Sequence, residues 1–321
     1  MKLPAAILFD MDDTLLAFDA GLDVDACWRG ACSEHLAEHG YGGDIEEVVR
    51  AIKQEARWYW SDPERHRIGR LDRRKARTAI IAAALCKLGI GAMRSGLESA
   101  GTMAGSARTM AGSAGTAAET PGTMAGTMVG SAAGTMAGTE SEASAEPEAR
   151  TESEADLGLG LGLSGADLLG LCDRIAVAYS EARDALVDVY PGAIDTLAHV
   201  RKLGIPIALL TNGASLPQRQ KIERFGLDRI FETILVEEEF GIGKPEPEVY
   251  VHALRLLGVK AEEAWMVGDN YEWEIVAPQS LGIRGIWLNH RGVDPATLPV
   301  QPFRTIRAIG ELIQLLDECR D

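Results

Sequence analysis

Aromatic side chains are scarce in this sequence, and one long internal stretch has none. From Gly91 to Gly165 there is no Phe, Tyr, Trp, His or Lys, while 15 of the chain's 35 glycines fall there. Without large apolar side chains, such a stretch cannot offset the entropy of ordering by building a packed core. It repeats a Gly-Thr-Met-Ala-Gly theme at Gly101–Gly105, Gly122–Gly126 and Gly134–Gly138. It then turns acidic from Glu140 to Asp156 and closes on a Leu/Gly alternation, Leu157–Leu163. The irregular spacing speaks against a solenoid. A disordered, removable surface loop is predicted over 91–165, with a docking segment for a partner as the functional alternative. The other 321 − 75 = 246 residues hold every aromatic side chain, ample for a substantial core.

Cysteine is scarce too. The five present (Cys27, Cys32, Cys86, Cys172 and Cys319) are odd in number and form no CxxC pair, which excludes a disulfide framework and points to reduced thiols. No run of 18 apolar residues exists to span a membrane. The opening MKLPAAILFD has too short an apolar run for a signal peptide, and it ends in an aspartate. A cytoplasmic protein is expected. Positive charge is in deficit: 32 − 48 = −16, of which the glycine-rich stretch contributes 3 − 9 = −6, leaving about −10 on the rest. That sign opposes non-specific binding to nucleic acid or to an anionic membrane. Anionic small substrates remain open wherever a metal or local Lys/Arg offsets the field.

What is present reads as alternating β and α. Five short apolar runs have the length of buried strands: Ala5–Phe9, Ile205–Leu210, Thr233–Val236, Trp265–Val267 and Gly285–Leu288. Helix-like segments such as Leu216–Phe225, Glu246–Leu257 and Trp273–Leu281 separate the last four. This pattern predicts a parallel sheet covered on both faces, with chemistry at the carboxyl ends of the strands. Between the first strand and about Asp188 the chain reads as four helices: Asp23–His39, Ile45–Trp60, Leu71–Leu88 and Ala166–Val187. A helical domain inserted after the first strand is the simplest arrangement. The glycine-rich stretch then falls between its third and fourth helices.

Asp10-Met11-Asp12-Asp13-Thr14 follows the first strand directly. In an extended exit, residues i and i+2 face the same way, so Asp10 and Asp12 project together. Two adjacent carboxylates need a cation or a shared proton, and a hard divalent ion such as Mg²⁺ suits oxygen ligands and brings phosphate with it. An Asx-rich turn is the plainer alternative. Three further elements follow predicted strands: Thr211-Asn212-Gly213, with a hydroxyl and backbone N–H groups for an anion; Gly243-Lys244-Pro245, with Pro245 near a helix start; and Gly268-Asp269-Asn270.

These four elements, in this order, resemble the D-x-D-x-T, Thr/Ser, Lys and acidic G-D motifs of the haloacid dehalogenase superfamily. The likeness covers about residues 5–17 and 188–300, helped by Tyr190-Pro191-Gly192-Ala193. It implies an α/β fold: a Rossmann-like parallel-sheet core, 1–17 and 188–321, with an inserted α-helical cap of the C1 type, 18–187, interrupted at 91–165. It also implies the phosphatase branch. Asp10 corresponds to the nucleophile that forms an aspartyl-phosphate, and Asp12 to the general acid/base. Mg²⁺ would be held by the Asp10 and Asp269 carboxylates and the Asp12 carbonyl, while Thr211, Asn212 and Lys244 would bind the phosphate. Glu274 stands where the family usually has Asp, behind the metal ligands. Asp12 disfavours the branch that attacks carbon. A Mg²⁺-dependent phosphatase of a small phosphorylated metabolite is the expectation. A phosphomutase, or a non-catalytic protein presenting the insertion, are the alternatives.

The substrate should be chosen by the cap, whose most distinctive run is Trp58-Tyr59-Trp60 through Arg67-Ile68-Gly69-Arg70. Trp58, Trp60, Arg67 and Arg70 could stack on a sugar or base and neutralise an anion. Alternatively, the aromatics pack in the cap and the arginines pair with nearby acids. His66 has no second ligand at metal-binding spacing, and Tyr271 and Trp273 are expected as a wall beside Asp269.

Overall fold

A computed structural model describes residues 2–19, 21–90 and 161–320. The expectation of a disordered loop falls almost wholly outside these residues. At its far end Ser164 already caps a helix that starts at Gly165.

Six parallel strands form the sheet. They are β1 (Ala6–Phe9), β4 (Ile207–Thr211), β5 (Thr233–Val236), β6 (Ala264–Gly268), β7 (Arg284–Leu288) and β8 (Arg304–Ile306), in the order β5-β4-β1-β6-β7-β8. A short antiparallel pair, β2 (Leu16–Ala17) with β3 (Asp188–Val189), closes the chain back onto itself next to β1. Every residue of β1, β4 and β6 is buried, as expected of strands covered on both faces. Side chains alternate across the sheet: Ile7, Phe9, Leu209 and Val267 enter one apolar core, and Leu8, Leu210 and Met266 the other. β1 lies between β4 and β6, with Phe9 opposite both Leu209 and Val267. That register brings three strand ends together, and with them Asp10, Thr211 and Asp269.

Among the described residues, five helices lie between β2 and β3: α1 (Val24–Ala37), α2 (Ile45–Ser61), α3 (Pro63–Leu71), α4 (Arg73–Lys87) and α5 (Gly165–Leu186). Each begins on a side chain that accepts a first-turn N–H: Asp23, Asp44, Asp62, Asp72 and Ser164. Four helices were expected. α3 is the addition, started by the Asp62 cap and by Pro63 in its first turn. The glycine-rich stretch therefore lies between α4 and α5, the fourth and fifth of the described helices. Trp28 of α1 stacks on Tyr179 of α5 with ring centroids 3.6 Å apart. The sheet and these helices belong to one unit by their contacts.

Candidate active site

Asp10 emerges from the carboxyl end of β1 into a buried network. Its Oδ1 accepts from Lys244 Nζ at 2.5 Å and its Oδ2 from the Thr14 hydroxyl at 2.9 Å. Lys244 is fully buried and also donates to Glu274 Oε1 at 2.8 Å. The other Glu274 oxygen takes the Asn270 N–H at 2.8 Å. Glu274 sits on a π-helical turn, Glu272–Val276, after β6. From there its longer side chain reaches both donors. A Cβ on Gly268 would run into Glu274 Cγ, so the Gly before Asp269 is needed for this approach.

Asp12 faces a different set of partners. Lys221 Nζ lies 2.5 and 2.6 Å from its two oxygens, and Gln218 Nε2 donates to Oδ2 at 3.1 Å. Gln218 also reaches the Thr211 hydroxyl at 2.5 Å, tying β4 to the Asp12 loop. Gln218 and Lys221 are three residues apart on the helix Ser215–Arg224, hence on one face. Neither was singled out from the sequence, where that spacing was their one signal. Asp13 turns the chain here with φ 58° and accepts from the N–H groups of Phe18 and Asp19.

Asn212 lines the cavity with Thr211, and its side chain has a structural task as well. Its side-chain oxygen accepts the Lys244 N–H at 2.8 Å and its amide donates to the Lys244 carbonyl at 2.6 Å. The side chain thus holds the lysine loop. Pro245 lies two residues before the helix that begins at Pro247, near its start as expected.

The electrostatics are those of crowded carboxylates. Burial raises Asp10, and Lys244 offsets this only in part. Burial, then repulsion from Asp10, Glu274 and Asp13, pushes the Asp269 carboxyl up to about 9. Burial brings Glu274 to about 7, opposed by Lys244 and reinforced by Asp10. Burial alone would lower Lys244, but Asp10 and Glu274 more than reverse it. Asp12 is the exception: Lys221 and Arg73 hold it below the usual carboxylate range despite burial. Burial lowers Lys221 in turn; Asp12 works against that and Arg73 adds to it. The Asp10/Asp269 side therefore lacks positive charge, the deficit a divalent cation relieves. Among the described residues no three Asp, Glu, His or Cys side chains converge as a metal-ligand group. The expected set needs only two, Asp10 and Asp269, plus the Asp12 carbonyl. Trp287 Nε1 fixes the backbone beneath it by donating to the Asp269 carbonyl at 2.9 Å.

A cavity of about 450 Å³ opens above Asp10, within the range of small-molecule sites. Of the four expected substrate contacts, Trp60 and Arg70 reach it. Trp58 is 59% exposed with Arg65 stacked on it at 3.9 Å, and Arg67 pairs with Glu64 at 2.9 Å. Even Arg70 is committed elsewhere, since its Nε and Nη2 meet Glu237 at 2.7–2.9 Å. This buried pair joins α3 to the residue after β5. Trp273 and His66 form a wall, edge to face at 5.5 Å. Tyr271 is tied to Val300 instead. The arginines that line the cavity unannounced are Arg73, Arg77 and Arg183.

The parallel sheet thus ends, at its central strand, in a carboxylate braced by a buried lysine. Residues 132–282 match the family model for haloacid dehalogenase-like hydrolases. The chain is 40% identical over 124 residues to phosphoserine phosphatase of Thermus thermophilus, covering 39% of this chain and 49% of the relative. It is 36% identical over 107 residues to glyceraldehyde 3-phosphate phosphatase of Methanopyrus kandleri, covering 33% and 46%. It spans about half the length of these curated relatives. Among solved structures, the fold resembles a HAD-hydrolase of Bacillus subtilis bound to magnesium, with a TM-score of 0.56 at 18% identity over 99% of this chain and 100% of that one. Residues 132–282 thus carry a region similar to the haloacid dehalogenase-like hydrolases.

Proposed function

We propose that this chain is a Mg²⁺-dependent phosphatase acting on a small phosphorylated metabolite through an aspartyl-phosphate on Asp10. The observation that carries the reading is the pairing of Asp10 with buried Lys244 at 2.5 Å, with Asp12 two residues on. The matched relatives named as phosphatases support the same class. The sheet serves as catalytic core, helices α1–α5 as its cap, and five cysteines in no disulfide fit a reducing compartment such as the cytoplasm.

Each residue then has a task. Lys244 and Thr14 orient the Asp10 carboxylate, leaving it lone pairs to attack phosphorus. Glu274 keeps Lys244 in place and charged. Thr211, with Lys244, faces the non-bridging phosphoryl oxygens. Asp12 first protonates the leaving oxygen and then, as a base, activates the water that cleaves the aspartyl-phosphate. To donate a proton it must exchange its Lys221 contact for the substrate oxygen, since as a partner of Lys221 it is a carboxylate. Mg²⁺, held by Asp10, Asp269 and the Asp12 carbonyl, would offset charge between the anionic nucleophile and the anionic ester. The test is hydrolysis of 4-nitrophenyl phosphate with Mg²⁺: the intact chain should release phosphate and Asp10→Asn should not. Transfer of the phosphoryl group to an added sugar phosphate, with no phosphate released, would favour a phosphomutase.

A further inference from the structure

The cavity above Asp10 has a neighbour. A second cavity, of about 410 Å³, opens beside it, and Phe18, Arg70, Arg73, Arg77 and Arg183 line both. In a chain of net charge −16, this neighbour is lined by seven Lys or Arg side chains and two Asp. Most of these cations are accounted for. Arg70 holds Glu237, Lys221 holds Asp12, Arg74 holds Asp173 and Arg224 donates to the carbonyls of Asp184 and Val187.

Three are not. Arg73 makes no hydrogen bond or ion pair with any described residue; it lies over the Phe18 ring at 4.8 Å and is attracted to Asp12 from a distance. Arg77, one helical turn further along α4, donates among the described residues only to the Ser180 hydroxyl, at 2.6 Å. Arg183 is 5% exposed and pairs at one edge with Asp184 at 3.0 Å and Asp19 at 3.7 Å, but its Nε is buried without a partner. Phe18 lies among them, 3.9 Å from the Arg183 guanidinium. Stacking on a ring holds a guanidinium in place without using its N–H groups. Burial, and then Arg183 and Arg73, push the Arg77 pKa down to about 9. A cluster of like charge is unfavourable unless an anion completes it.

We propose that Arg73, Arg77 and Arg183 form a subsite for a second anionic group, a carboxylate or a phosphate, at the end of the substrate remote from the phosphoryl group that is transferred. The inference rests on the phosphatase reading above and narrows it: the substrate is a phosphomonoester with a second negative charge. Lys221 already pairs with Asp12, and Lys244 with Asp10 and Glu274; none of the three guanidiniums pairs directly with these carboxylates, and Arg73 acts on Asp12 only from a distance.

The experiment compares matched ligands by calorimetry on the Asp10→Asn chain with Mg²⁺ present. Glycerol 1-phosphate against 3-phosphoglycerate tests a carboxylate, and fructose 6-phosphate against fructose 1,6-bisphosphate tests a phosphate. At least one doubly anionic ligand should bind about tenfold more tightly than its twin, the preference that a charge-assisted hydrogen bond supplies. Adding Arg77→Gln should erase most of that preference, and Arg77→Lys should restore part of it. Arg73→Gln serves the same purpose if the Arg77 variants do not fold. Equal binding within both pairs, or a preference that survives Arg77→Gln and Arg73→Gln, overturns the subsite. Turnover by the unaltered chain is read separately. If no phosphomonoester is hydrolysed, the phosphatase reading fails, while the binding comparison still decides the subsite.

Discussion

Replacing Arg70 with Met removes the guanidinium that joins α3 to the core. Three donor–acceptor contacts at 2.7–2.9 Å are lost. The Glu237 carboxylate left behind is 5% exposed and keeps only the Gly213 N–H, at 2.9 Å. Breaking a buried ion pair from one side costs about 3–5 kcal/mol, because an unpaired charge stays in the interior. The surviving Gly213 bond places the expected cost at the lower end, about 3 kcal/mol. For a protein of this size that lowers the melting temperature by about 6–12 °C. Removing both charges should recover most of the loss, since an apolar pair of similar volume is often as stable as a buried ion pair. Chemical denaturation of Arg70→Met, Glu237→Leu and the double variant, followed by tryptophan fluorescence, forms a double-mutant cycle. A cost below about 1 kcal/mol for Arg70→Met would refute the reasoning, because it requires water to reach Glu237 in the folded protein.

Two other perturbations test the site. Gly268→Ala should lower both stability and activity, because its Cβ meets Glu274 Cγ; adding Glu274→Ala should restore part of the stability but not the activity. If Gly268→Ala alone melts as the unaltered chain does, the packing against Glu274 is wrong. Without divalent cation, stability should fall as pH rises between about 4 and 9. Asp269 has an ordinary value of 3.8 and is pushed up to about 9 in the folded chain. In that window the folded state holds a proton that the unfolded state has released, so raising the pH favours unfolding. Mg²⁺ should flatten this dependence in thermal melts at several pH values. A cation-free protein equally stable at about pH 5 and about pH 8 contradicts it.

The strands that position the chemistry were legible because each is a short, fully buried apolar run ending in a polar residue, as at Phe9-Asp10 and Gly268-Asp269. β8 was not, since only one of its three residues is buried. α3 was hidden inside a run noticed for its aromatics, although Asp62-Pro63 is an ordinary helix start. Contacts distant in sequence left no local trace. Arg70 and Glu237 are 167 residues apart. Arg73 and Arg77 were visible as charges within an expected helix, but what they face depends on how α4 packs against α5. Asn212 lines the cavity as a strand-end residue should, but that its side chain also holds the Lys244 backbone, 32 residues on, left no local trace.

The central claim is that Asp10 carries the phosphoryl group. Rapid quenching of the Asp12→Asn chain with 4-nitrophenyl phosphate and Mg²⁺, followed by mass spectrometry of its peptides, addresses that step directly. Asp12→Asn removes the base that clears the intermediate, so the account predicts one added phosphoryl group on the peptide containing Asp10, absent when Asp10→Asn is introduced as well. Phosphate release by the unaltered chain with no phosphoryl group ever found on that peptide, or with activity retained in Asp10→Asn, would contradict it.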